Sequence, residues 1–277
     1  MAYNPLEVAG PEEYPVKVGT MLLTLVDPHK GFEQAYNRWY ERDHFYGGCM
    51  EGQYQLAGSR WVATREMKNL RWPASDAVAS PVDAGSYVAI YWVLAGHQQD
   101  WDDWSLIQVK ALYDNGRGFP ERSHVHTATY EYVGVDYRDA DGVPLTLALD
   151  HKYDAIVALW LDGKDDKPSA EVHAELSKEL LPKLLEGSNL EIAASWLPTE
   201  AFRGSGRSGT PMALGSPGGG DNRLVQLFFV TGDVRGELDR LHEYTDAIEK
   251  AGIADVLLAA PFLRTSVGTD KYVEKIW

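Results

Sequence analysis

The chain has 277 residues, enough for one large domain or two ordinary ones, and 44% of them are hydrophobic, enough to fill a real core. Its 26 Lys and Arg against 41 Asp and Glu leave a net charge of −15. That balance argues against nucleic acid or an anionic membrane as partner, because phosphate binding needs clustered Lys and Arg. The single cysteine, Cys49, excludes an internal disulfide framework and a cysteine-rich zinc site, and fits a reducing compartment.

Residues 1–15 form a polar N-terminal extension holding Pro5, Pro11 and Pro15. It has no basic start and no apolar run, so it does not read as a signal peptide. No window approaches about 18 unbroken apolar residues, the length of a spanning helix. A soluble, cytoplasmic protein is expected.

Val16 to Val26 is rich in β-formers and predicts a strand, broken by Asp27-Pro28. Lys30 to His44 carries Phe32, Ala35, Tyr36 and Trp39 at helical spacing, with Gly47-Gly48 expected to stop the helix. Ser59 to Met67 alternates and predicts a second strand; Lys68 to Gly85, with Pro73 and Pro81, a long loop; Ser86 to Ala95 a third strand. Gln99 to Tyr113 predicts a second helix closed by Asn115-Gly116, and Thr127 to Tyr137 a fourth strand. The unit 16–138 is therefore β-α-β-β-α-β.

Residues 139–153 read as a linker, and the order then repeats over 154–277. Strands are expected at Asp154–Leu161, Leu190–Leu197, Arg223–Thr231 and Val256–Ser266. Helices are expected at Ser169–Leu185, with Ser169 as N-cap, and at Val234–Ala251. Phe202 to Asn222 is a Gly/Ser/Pro-rich loop. Its Gly218-Gly-Gly run lacks the Gly-Lys-Ser/Thr ending of a phosphate loop and reads as a lid or spacer. The halves repeat in pattern, roughly 135 residues apart, with little residue identity. The expected fold class is α+β: two tandem ferredoxin-like units packed as an intrachain pseudo-dimeric α/β barrel, each burying the sheet face the other leaves open.

The chemistry-bearing stretch is Asn37 to Cys49, which holds Trp39, Tyr40, Asp43 and His44. On a helix Tyr40 and His44 share a face, while Asp43 points about 100° away from His44 and is a poor orienting partner. His44 titrates near working pH and could act as base or acid, or could merely cap a helix C-terminus. In an extended strand His124 and His126 would share a face, a common metal-ligand arrangement. A metal would still need a third ligand such as His44, His97 or a carboxylate. No ligand cluster stands at recognisable spacing, so no metal is expected, and either histidine could line a pocket instead. Trp39, Trp61, Trp72, Trp92, Trp101 and Trp104 gather in the first half, and Trp61 and Trp92 could stack on a flat substrate. Tyr87 and Tyr91 share one strand face and Trp92 takes the other. Cys49 near His44 could be a nucleophile, but no other thiol-enzyme feature accompanies it. No GxGxxG stands between a strand and a helix, so a nicotinamide or flavin Rossmann site is not expected.

Trp39-Tyr40-x-x-x-His44, on the first helix after a first strand, resembles the signature of the EthD-like branch of the dimeric α/β-barrel superfamily. The motif spans only about ten residues; the pattern of elements spans nearly the whole chain. The resemblance implies a small hydrophobic molecule held between sheet and helices, and a pocket-facing His44. Trp39 and Tyr40 match the motif but could be structural. Members of that superfamily include cofactor-free monooxygenases of aromatic polyketides, polyketide cyclases, lactone isomerases, haem-degrading enzymes and dehydratases. This chain departs from the common homodimer by being a tandem fusion. Its second half also lacks the motif, reading Ser169-Ala-Glu-Val-His-Ala, with His173 early in the helix among exposed-looking residues. One competent pocket, in the first half, is expected.

These observations together predict an enzyme without organic cofactor, of lyase or isomerase type. It would bind an aromatic, polyketide-like or terpenoid molecule. His44 would move a proton, with Tyr40 or a strand-four histidine holding an oxygen and with Trp39, Trp61, Trp92, His124 and His126 as substrate contacts. Elimination, isomerisation or cyclisation would follow. The alternatives are cofactor-free oxygenation of an electron-rich phenol, a non-catalytic binding protein, and a haem protein with His44, His124 or His126 as axial ligand. Substrate, reaction and any assembly beyond the intrachain pair are left open.

Overall fold

The computed structural model describes residues 4, 6, 7, 10–203 and 212–277. Part of the expected N-terminal extension, Pro5 included, and residues 204–211 of the expected lid or spacer lie outside them.

The first half contains strands β1 (Val18–Pro28), β2 (Gln55–Val62), β3 (Tyr87–Leu94) and β4 (Arg122–Tyr137) and helices α1 (Glu33–Trp39), α2 (Arg65–Lys68) and α3 (Gln98–Asp114). The second contains β5 (Ala155–Gly163), β6 (Leu190–Pro198), β7 (Arg223–Val230) and β8 (Ala254–Arg264), with α4 (Ser169–Leu176), α5 (Leu180–Leu185) and α6 (Leu238–Lys250). All eight strands close into one antiparallel barrel in the order β1-β3-β2-β8-β5-β7-β6-β4. Within it the halves keep the same internal order, 4-1-3-2 and 8-5-7-6, the ferredoxin-like arrangement twice over. The expected α+β fold of two tandem units is therefore the observed one.

Rings that meet across the barrel identify its interior. Trp92 on β3 stacks on Trp196 of β6 with centroids 4.9 Å apart, and His126 on β4 meets Trp160 of β5 edge-on at 5.9 Å, although neither strand pair is adjacent. Trp61 is fully buried in the same cluster. On the outer face of the first-half sheet Val26, Tyr87 and Tyr91 form a second cluster with Tyr36 and Tyr40 of the helical segment that covers them. A strand covered on both faces must be apolar throughout, which is why Tyr87–Val93 is continuously buried rather than alternating.

Several local expectations change. The helix that starts at Glu33 is not stopped by Gly47-Gly48: α1 runs straight into wider π-helical turns over Tyr40–Met50, with the Glu51 N–H bonded to the Tyr46 carbonyl five residues back. The second strand ends at Val62, and Thr64 caps α2 by accepting from the Met67 N–H at 3.4 Å. The expected helix 169–185 is split into α4 and α5. Pro182 cannot donate, and its ring clashes with the carbonyl four residues earlier, which falls in the gap between them. Ser169 does not cap; its Oγ donates to the Asp221 and Arg223 carbonyls at 2.5 and 2.6 Å.

A further change moves a candidate site residue. The β1–β4 register pairs Leu25 with His126 and then Val26 with His124, so Val125 is a bulge. One extra residue reverses the alternation. His126 points into the barrel and His124 onto the outer face, so the two imidazoles do not share a face as expected.

His126 is fully buried, its Nδ1 bonded to the Ser216 Oγ at 2.9 Å and its Nε2 to the Tyr130 hydroxyl at 2.5 Å. Burial, with the nearby charge of Arg223, pushes its pKa down to about 3. Its folded pKa lies below the unfolded value near 6.5, so its stabilising contribution is complete above about pH 6.5 and is lost as pH falls towards 3. At pH 5 the loss is about 2 kcal/mol from this residue. Urea unfolding at pH 7 and pH 5 checks it: the stability difference shrinks by about that amount in His126→Gln, and equal differences in the two proteins would count against it.

Candidate functional site

A cavity of about 850 Å³, its mouth included, opens between the outer face of β1, β3 and β4 and the helices that cover it. One long wall is α3. Trp101, Trp104, Ser105 and Val109 line the cavity at helical spacing on a single face. The opposite wall is Leu22 and Thr24 of β1 with Thr127 and Thr129 of β4, and Phe202, Met212 and Leu214 reach over from the second half. The titratable groups of the lining cluster together: His44, Cys49, Tyr91, Arg122 and His124.

The π-helical turns set the position of His44. With more residues per turn than an α-helix, they bring residues five apart towards one face, and His44 Nε2 lies 3.7 Å from Cys49 Sγ. The imidazole stacks on Trp39 at 4.5 Å, and the Arg122 guanidinium lies 4.6 Å over the same indole. Trp39 is itself fixed by donating from Nε1 to the Arg117 carbonyl at 2.9 Å. Burial lowers the His44 pKa well below the ordinary imidazole value, helped by the nearby Arg122, His124 and Arg117. His44 is therefore neutral at neutral pH, with a lone pair available. Burial pushes the Cys49 thiol up to about 11, so it stays protonated.

Gly48 serves close approach rather than helix termination. A Cβ built there would sit 2.6 Å from His44 Nδ1 and 3.1 Å from Leu112. Gly48→Ala is expected to push the imidazole off Trp39 and to destabilise the protein by about 1–3 kcal/mol, the usual range for overpacking. A thermal melt together with ring-proton NMR of His44 measures both; an unshifted imidazole signal would contradict this account of the glycine.

His124 sits beside His44 because of the bulge at Val125. Its Nδ1 lies 2.7 Å from Thr127 Oγ1 and 3.3 Å from Thr24 Oγ1. Its buried Nε2 has no hydrogen-bond partner, and burial followed by Arg122 pushes its pKa down to about 3. Arg122 likewise has a buried Nε without partner, while its Nη2 approaches the Met212 sulfur at 3.7 Å. A buried polar atom left unpaired costs about 1–3 kcal/mol, so two in the lining of an apolar cavity call for an acceptor.

The other expected site residues lie elsewhere. Tyr40 is buried behind the cavity, its hydroxyl bonded to that of Tyr91, and burial raises both phenols well above 10. Trp39 supports His44 and does not line the cavity. Trp61, Trp92 and His126 face the barrel interior; the Trp92 Nε1 donates to the Leu145 carbonyl at 3.1 Å. The aromatic wall comes from Trp101 and Trp104 instead. Their spacing with Val109 was readable as an apolar helix stripe. Arg122 had no such signal, because β4 starts five residues before the strand expected at Thr127. In the second half His173 is not exposed: its Nδ1 lies 3.1 Å from Ser195 Oγ and its Nε2 packs against the Gly134 backbone.

Among the described residues no group of three His, Cys, Asp or Glu comes together to hold a metal. A haem needs an imidazole nitrogen facing open space and cations for two propionates. His126 has both nitrogens bonded inside the barrel, and His44 lies flat on Trp39 with Nε2 towards Cys49. His124 has a nitrogen without partner, but Arg122 is the single arginine or lysine among the described residues that line the cavity. These residues do not make a haem site. No helix among the described residues is long and apolar enough to cross a membrane.

No family model matches the sequence, and no curated protein matches it. Solved structures do resemble the chain. A protein provisionally described as a chlorite dismutase is 12% identical and superposes with a TM-score of 0.52, over 94% of this chain and all of its own. A protein of Fusobacterium nucleatum provisionally described as a monooxygenase is 11% identical over 90% of this chain and 94% of its own, TM-score 0.49. A dye-decolorizing peroxidase of Bacteroides thetaiotaomicron is 8% identical over 96% of this chain and 100% of its own, TM-score 0.49. Identities this low speak for the fold alone. The chain folds as a dimeric α+β barrel whose two halves are joined in one polypeptide.

Proposed function

We propose that this protein is an enzyme that takes a flat, hydrophobic phenol into the cavity under α3, removes its proton without an organic cofactor, and passes the phenolate to dioxygen. The observation that carries this reading is the pair of unpartnered buried nitrogens, Arg122 Nε and His124 Nε2, beside the neutral imidazole of His44. His44 accepts the phenol proton. The thiol it faces is a weak donor that a phenol can displace. Arg122 donates to the resulting oxyanion, and His124 donates alongside it when Thr127 supplies the proton to Nδ1. Trp101 and Trp104 hold the ring.

Elimination fits less well, because a leaving hydroxyl needs an acid. Cys49 at about 11 and Tyr91 well above 10 are poor proton donors at neutral pH. A phenolate is electron-rich enough to reduce dioxygen directly. A phenol with a free para C–H then gives a quinone and water: one oxygen atom enters the ring, the other leaves with the two hydrogens, and the substrate supplies the four electrons. Residues 16–138 carry the reacting groups in this reading. Residues 154–277 close the barrel and add Phe202, Met212 and Leu214 to the wall.

The test is a panel of naphthols and hydroxyanthrones incubated with the protein under air and under argon. Oxygen uptake equal to quinone formed, and none under argon, is the expected result. An isomer or dehydration product formed equally under argon would replace oxygenation by simple proton transfer.

A further inference from the structure

The segment that follows β8, residues 265–277, leaves the second half and crosses back over the helix that carries His44. It departs beside β2, where the Thr265 Oγ1 donates to the Arg60 carbonyl at 2.8 Å, and reaches Trp277, whose Nε1 donates to Glu33 at the start of α1. Along the way Ile276 is fully buried in the cluster that holds Tyr36 and Tyr40.

Its polar contacts fall on one stripe of that helix. Asp270 accepts from Gln34 Nε2 at 3.0 Å, from Asn37 Nδ2 at 3.1 Å and from Arg38 Nη2 at 2.6 Å. Glu41 accepts from the Gly268 N–H at 2.8 Å. Residues 34, 37, 38 and 41 stand at the i, i+3, i+4, i+7 spacing of a single helical face. Arg60 closes the circuit from β2. It is buried, packed 4.4 Å over the Tyr40 ring, and its Nη2 donates to Asn37 Oδ1 and, at 3.0 Å, to Glu41 Oε1.

The helix needs this grip. α1 has seven residues, too few to be stable alone, and Phe32 gives it no side-chain cap. His44, on the turns that follow, is held by ring contacts with Trp39 and Tyr40 and by a weak thiol contact, so the place of the helix sets the place of the imidazole. A reacting group misplaced by about 1 Å can cost about 10²-fold in rate.

We propose that residues 265–277 are a positioning element for the first half's site, with Asp270 as the positioning residue that keeps His44 against Trp39 through Gln34, Asn37 and Arg38. The rate effect rests on His44 being the base of the function proposed above; the placement of the ring does not. The test is therefore read first on the His44 ring protons by NMR, assigned by their loss in His44→Gln. Stacking on the indole shields these protons. In Asp270→Ala they are expected to move downfield while circular dichroism shows the protein folded, and Asp270→Glu, which keeps the charge, brings them back towards the wild-type position. Arg38→Gln, at an exposed side chain, breaks the same ion pair from the helix side and moves the signal in the same direction, which keeps the test decisive should Asp270→Ala fail to fold. Asp255→Ala, which removes an exposed ion pair with Lys164 in the second half, leaves it in place. With a phenol that turns over, kcat falls about tenfold or more in Asp270→Ala while KM holds, because the walls of the cavity come from β1, β4 and α3. A His44 signal that stays in place in Asp270→Ala and Arg38→Gln, or that moves as far in Asp255→Ala, overturns the proposal whether or not a phenol is turned over.

Discussion

His44→Ala is expected to lower kcat/KM on a phenolic substrate by about 10²–10⁴-fold, the contribution of a positioned general base. The fold should survive, since the imidazole is anchored by ring contacts with Trp39 and Tyr40 and a weak thiol contact rather than by a polar network. The pH profile separates a base from a structural ring. Burial holds the His44 pKa well below 6.5, so the wild-type enzyme keeps its base unprotonated, and its activity, as pH falls through 6.5. In His44→Ala the substrate must ionise unaided, so residual activity rises steadily with pH towards the phenol's own pKa. Full activity in the variant, or an acid limb centred at an ordinary imidazole value, would remove His44 from the proposed role.

Arg122→Gln is expected to cost about 10²–10³-fold in kcat, the range measured when one donor to a developing oxyanion is removed. Glutamine keeps length and a donor but not the charge. Among the described residues Arg122 is the only arginine or lysine lining this cavity, and it lies over Trp39 beside the imidazole, so its charge reaches both a bound phenolate and His44. Two effects should separate. The bound phenol's pKa rises in the variant, moving the rate profile to higher pH, and the His44 pKa rises as a neighbouring positive charge is lost. Turnover with the natural pH profile in Arg122→Gln would mean that the oxyanion is held elsewhere. Arg122→Lys restores charge without the planar fork and should recover part of the rate.

Much of the architecture was legible in local pattern. The run Tyr87–Val93 has the continuous apolar character of a strand buried on both faces, and α3 has its stripe of Trp101, Trp104 and Val109. The repeat of β-α-β-β-α-β implied two sheets sharing one interior, and the barrel order bears that out. The site was legible only in part. His44 could be named because its motif is compact in sequence. Trp61 and Trp92 were named for their chemistry, but strand parity and the partner half decide which face they occupy, and both turn inward.

Sequence by itself determined the fold class, the duplication and the helix that carries His44, because these rest on hydrophobic periodicity and local propensity, which short windows contain. Tertiary structure alone decided which groups meet. The bulge at Val125 exists only in pairing with β1, and it sends His126 into the barrel and His124 to the cavity. The π-helical turns depend on packing against β2 and β3, and they place His44 over Cys49 rather than ending at Gly47-Gly48. Arg122 and Phe202 reach one cavity from positions 80 residues apart (202 − 122). One-residue shifts and long-range closure leave no periodic trace, which is why an arginine and a bulge, rather than the histidine motif alone, define this site.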